Sequence, residues 1–144
     1  MAHSFQITFD ALDPAALSGF WTEALGYIVQ PPPPEYESWD AWAAAMGIPE
    51  ENWNDARALV DPDGGGPRLF FQRVPEAKSA KNRVHLDVNA GGGHNRDAAT
   101  RIKAVDSHVA KLEQLGATKS AVFEQRGEYW VVMQDPEGNE FCVQ

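Results

Sequence analysis

The sequence predicts an α+β fold of two β-α-β-β-β modules arising from an internal duplication, and three observations carry that expectation. A phrase repeats: Asp61 to Gln72 reads DPDGGGPRLFFQ and Asp135 to Gln144 reads DPEGNEFCVQ. Each is an Asp-Pro-acid-Gly turn running into a short apolar strand that ends in glutamine. A strand-then-helix order also repeats, and both helices close on the same pair, Leu25-Gly26 and Leu115-Gly116. Neither half has an obvious way to bury both faces of its sheet alone. The sheets are therefore expected to pair around a cavity, with the helices outside. This makes one domain over residues 1–144, with module one about 1–75, module two about 81–144, and VPEAKSAK as the linker.

In SFQITFDA, Phe5, Ile7 and Phe9 alternate with Gln6 and Thr8, which is the period of a half-buried strand. Asp13 stands where an N-cap accepts the free amides of a first turn, and Pro14 suits the first helical position. Leu17, Phe20, Trp21, Ala24 and Leu25 then recur at helical spacing up to a stop at Gly26. An insert follows, PPPPEYESWDAWAAAMGIPEENWND, which has no counterpart in the second half. Its prolines favour a stiff extended run, and SWDAWAAAMG reads as a short helix capped by Ser38 and stopped by Gly47. Trp39, Trp42 and Trp53 crowd this insert. They either cap the core of module one or form an aromatic wall over a pocket for a flat organic ligand.

Module two opens on NRVHLDVN, with Val84, Leu86 and Val88 on one face and Arg83, His85 and Asp87 on the other. A glycine-rich loop, AGGGHNRD, leads to a helix marked by Ile102, Val105, Val109 and Leu112. Strands AVFEQ, EYWVVMQD and EFCVQ complete the module. His85 either lines a cavity or is a satisfied interior histidine, and Asp87 on its face is placed to orient the ring. Cys142 reads as a buried, inert cysteine, because no histidine at a readable spacing would activate it. Glu140 is either a general base or a solvated carboxylate on a terminal strand. The GGG run lacks the spacing of a dinucleotide fingerprint and is expected to be a loop.

Bulk properties exclude some classes. At 43% hydrophobic and 23% charged, the chain can bury a substantial core. No run approaches the roughly 18 to 20 apolar residues of a membrane span, so no membrane partner is expected. A net charge of −9 argues against nucleic acid, which needs a cationic surface. With Cys142 as the only cysteine and no signal-like N-terminus in MAHSFQITFD, the expected location is cytoplasmic.

Together FDALDPAALSGFWTEALGY, SWDAWAAAMGIPEENW, DPDGGGPRLFFQRVPEAKSAKNRVHLDV and DPEGNEFCVQ resemble the vicinal oxygen chelate superfamily. That superfamily includes glyoxalase I, bleomycin-resistance proteins and extradiol dioxygenases, and the similarity is to its glyoxalase-like domain group. The resemblance implies positions on the strands that converge on one divalent ion. Here they fall on Gln6, on Phe70 or Gln72, on His85 and on Cys142. One imidazole, neutral amides and a thiol satisfy neither a hard octahedral ion nor a thiophilic one, so no metal site is assigned and a divalent metal cofactor is not favoured. The expected function is small-molecule binding, with Gln6, Gln72, His85, Cys142, Trp39 and Trp42 contacting the ligand. The alternative is a glyoxalase-type lyase or isomerase, acting on a substrate with two vicinal oxygens, with His85 and Glu140 as catalytic groups. Superfamily membership also implies a possible homodimer.

Overall fold

The duplication appears directly in the strand order of two four-stranded sheets in the computed structural model, which describes residues 1–144. The protein is α+β, with three α-helices. Its chain divides into two compact units, one of residues 1–22 and 26–77, the other of residues 23–25 and 78–144.

In the first unit the elements run β1 (Gln6–Ala11), α1 (Pro14–Leu25), β2 (Ile28–Val29), α2 (Trp39–Ala45), β3 (Ala56–Val60) and β4 (Arg68–Arg73). The sheet order is β1-β4-β3-β2, with β1 parallel to β4 and the other pairs antiparallel. Asp13 caps α1 through a 3.1 Å bond from the Ala16 amide, and Gly26 takes the left-handed conformation (φ 70°) that ends it. Leu17 and Trp21 of α1 are buried with Leu59, Leu69 and Phe71 of the sheet. Phe9 stacks on Phe71 at 4.8 Å and meets Trp21 at 5.2 Å. Burying each such side chain stabilises the unit by about 1.5–3 kcal/mol.

In the second unit β5 (Asp87–Val88), α3 (Ala98–Gln114), β6 (Thr118–Gln125), β7 (Glu128–Gln134) and β8 (Glu140–Val143) repeat the plan. The order β5-β8-β7-β6 matches that of the first sheet, again with the first strand parallel to the last. Helix α3 is capped by Asp97 and packs on β6, β7 and β8. Its Val105, Val109 and Leu112 are buried, as are Val131, Met133, Phe141 and Val143 of the sheet.

The repeated phrase has one physical meaning in both places. The Asp61 carboxylate accepts the amides of Asp63, Gly65 and Gly66, and the Asp135 carboxylate accepts those of Glu137 and Asn139. Gly64 and Gly138 hold the turn's left-handed position at φ 74° and 87°. Two details depart from the sequence reading. Phe5 is 71% exposed and lies outside β1. The strand expected over NRVHLDVN shrinks to Asp87–Val88, and Val84 is 84% exposed. The partner strand β8 has only four residues, so little ladder is available, although the Cys142 amide still donates to the Leu86 carbonyl. No helix is long and apolar enough to cross a membrane.

Candidate functional site

Alternation along β1 and β4 sends Ile7, Phe9, Leu69 and Phe71 to the buried face of the first sheet. Gln6, Thr8 and Asp10 of β1, with Arg68, Phe70 and Gln72 of β4, therefore share the opposite face. The insert stands over part of it. Trp39, Trp42 and Trp53 join Val29, Ala58 and Phe70 in lining a cleft of about 520 Å³. Trp39 and Trp42 meet edge to face at 5.4 Å. The indole nitrogens of Trp39 and Trp53 donate to the carbonyls of Gln30 and Ile48 at 2.7 and 2.9 Å, which satisfies their polar ends and leaves the rings as apolar wall. Ser38 caps the short helix that carries the first two, accepting the Ala41 amide at 3.0 Å. Ala56 and Ala58 of β3 pair with Gln72 and Phe70, and the small side chain of Ala58 leaves the cleft open below the insert.

At the edge of that cleft lies Arg68. Its Nε donates to Gln30 Oε1 at 2.6 Å, its Nη1 donates to Gln6 Oε1 at 2.8 Å, and its guanidinium carbon sits 5.2 Å from the Phe70 ring centre. Gln6 is thus engaged by a cation, and Gln72 donates to Asp10 at 2.8 Å. Thr8 pairs with Phe70 as Asp87 pairs with Cys142, and each of the two residues lies between two buried neighbours. Register therefore equates Phe70 with Cys142, while Gln72 corresponds to Gln144.

The second unit presents a different chemistry. A cleft of about 480 Å³ is lined by His85, Asp87, Trp130, Cys142 and Glu128, among others. His85 Nδ1 lies 2.9 Å from Asp87 Oδ1. Trp130 stacks on Phe123 of the neighbouring strand at 5.3 Å. Cys142, expected to be buried, is only half-buried because it lines this cleft; that partial burial pushes its thiol above its ordinary pKa, and the Asp87 charge and hydrogen bond add to the shift. Glu140 belongs to a tighter arrangement. Its carboxylate accepts the Asn82 amide at 3.0 Å and pairs with Lys78 at 3.0 Å. The Asn82 amide is the leading cause that brings its pKa down to about 2, well below what a general base near neutrality needs.

Could these residues hold a metal? The ligand atoms of His85, Asp87 and Cys142 lie within 4.8 Å of one another. An imidazole, a carboxylate and a thiol together suit a borderline ion such as zinc with a fourth position open, whereas a hard octahedral ion would find one carboxylate. In the first unit the matching positions supply only a Gln6 amide already bound to Arg68 and the Phe70 ring. Asp87 as a donor and Arg68 as a site residue were not assigned from sequence. Both share face parity with residues that were, His85 and Phe70, and that parity was the available signal.

Residues 6–144 match the family model described as "Glyoxalase-like domain". No curated protein sequence matches the chain. Among solved structures, a glyoxalase/bleomycin resistance protein/dioxygenase family enzyme from Burkholderia phytofirmans is 20% identical, covering 96% of this chain and 94% of its own, with a TM-score of 0.60. A glyoxalase/dioxygenase from Nostoc punctiforme is 17% identical, covering 98% and 88%, at a TM-score of 0.60. A variant of the fosfomycin resistance protein FosX from Listeria monocytogenes, in complex with Mn(II) and 1S,2S-dihydroxypropylphosphonic acid, is 10% identical, covering 100% and 90%, at 0.63. At these identities the likeness establishes the fold alone.

Proposed function

The chain belongs to the glyoxalase-like domain family of the vicinal oxygen chelate superfamily, and on that premise we propose that it is a small-molecule-binding protein. Its site is the tryptophan-walled cleft of the first unit. The observation that carries this reading is the cleft itself: about 520 Å³, walled by Trp39, Trp42, Trp53 and Phe70. That volume and lining match the concave, mostly apolar sites that take drug-sized ligands, and the flat rings select a planar aromatic one. Calorimetric titration with 2-naphthol tests it. Trp42→Ala is expected to weaken binding at least about tenfold, and Ala58→Phe, which places a ring in the cleft, to abolish it. Unchanged affinity in Ala58→Phe would remove this cleft as the site.

A second reading rests on the convergence of His85, Asp87 and Cys142. We propose these as the holders of a zinc-class ion in a lyase or isomerase of the glyoxalase type. A bound ion would supply Lewis-acid polarisation of two adjacent substrate oxygens. His85 Nδ1 and Asp87 Oδ1 stand 2.9 Å apart beside Cys142, so these side chains are already gathered at one point. Glu140 would move a proton only after Lys78 and the Asn82 amide release it. Elemental analysis after zinc loading and desalting decides the matter: one ion per chain, lost on His85→Ala and on Asp87→Ala, supports the site, and no retained zinc removes it.

A further inference from the structure

We infer that the ligand of the tryptophan cleft is a planar aromatic oxyanion, a carboxylate or its equivalent, and that Arg68 is the residue that binds its charge. The inference rests on the reading of this cleft as the binding site.

Arg68 lines the cleft and is half-buried, yet its only side-chain partners are two neutral amide oxygens, Gln30 Oε1 and Gln6 Oε1. Its Nη2 has no protein partner, and no carboxylate oxygen comes within 4.0 Å of the guanidinium. This is not for want of acid, since the chain holds 21 Asp and Glu against 12 Lys and Arg. Four other cations, Arg73, Lys78, Arg101 and Lys111, pair with carboxylates, while Arg57, the cleft's other arginine, spends its Nη1 on the Trp53 and Ala56 carbonyls. A half-buried guanidinium with no counter-charge and one nitrogen still open is a ready partner for an anion delivered by a ligand.

The surroundings hold the group ready. Gln30 is fixed at its backbone carbonyl by the Trp39 indole and at its amide by Ala58, and its side chain fixes Arg68 Nε. Phe70 supports the guanidinium from beneath at 5.2 Å. The insert's aromatic wall and the cation are therefore linked through one glutamine, so little conformational freedom remains to be lost on binding. The cleft's own carboxylates do not compete. Asp55 is taken by Arg73, and Asp40 is exposed in the first turn of α2. A planar fork of donors beside stacked aromatic rings suits a flat ring bearing a coplanar carboxylate.

Calorimetric titration of the full chain with 2-naphthoate and with its neutral isostere 2-naphthamide tests this. The carboxylate is expected to bind at least about tenfold more tightly than the amide. Arg68→Gln should reduce that preference to less than about threefold while leaving the amide's affinity in place, and Arg68→Lys should restore part of it. Retained affinity for the amide also shows that the variant keeps its cleft. Equal affinities in the wild type overturn the inference and leave the aromatic site standing. A preference that survives Arg68→Gln overturns the role of Arg68. No binding of either probe overturns both the inference and the reading beneath it.

Discussion

Glu140 is held between the Asn82 amide and Lys78, and its protonation sets part of the acid limit of the second unit. Its folded pKa, about 2, lies below its ordinary value of 4.5. Its contribution is thus fully present above 4.5 and disappears as pH falls through about 2. Glu140→Gln is expected to cost about 1–2 kcal/mol at pH 7, and that deficit relative to the wild type should shrink toward pH 2. Urea unfolding at pH 7, 4 and 2.5 measures both. A deficit that stays constant with pH would show that the carboxylate's charge is not what matters. The same contacts explain why the sequence left the residue open as base or solvated carboxylate: both partners lie 58 and more positions away in the chain.

The two Asp-Pro turns are the same element in different burial, and that difference decides what each contributes. Asp135 is 3% exposed and accepts from Glu137, Asn139 and the Asn139 side chain, while Asp61 is half-buried. Asp135→Ala is therefore expected to cost about 3 kcal/mol and Asp61→Ala about 1 kcal/mol, because the bonds to Asp135 are all partly buried while two of the three amide bonds to Asp61 are exposed. Equal losses in denaturant titrations would mean that the turns are held by glycine conformation and not by the carboxylates. In the insert, Ser38→Ala removes the cap on Ala41 and should destabilise α2 by about 1 kcal/mol. Because α2 carries Trp39 and Trp42, that variant should also bind 2-naphthol several-fold more weakly with little change in overall melting temperature. A melting point that falls as far as the binding does would assign the insert to the core instead.

At the scale of the chain, net charge −9 makes the surface a poor match for phosphate backbones. Titration of duplex DNA at low salt is expected to produce no mobility shift, and a shift that weakens with added salt would contradict this. The duplication, the helix caps at Asp13, Ser38 and Asp97, the stops at Gly26 and Gly116 and both carboxylate turns are properties of short stretches. Local hydrogen bonding and φ preference write them into neighbouring residues, so the sequence by itself determined the modules and their order. Cross-strand register is set between segments far apart in the chain. Only the tertiary structure decided that β5 keeps two residues of ladder with β8. It also decided that Cys142 joins His85 and Asp87, and that Arg68 meets Gln6 and Gln30 beneath the insert. Those neighbours exist only once strands distant in sequence pair, because a side chain's face follows from its own strand but its partners do not.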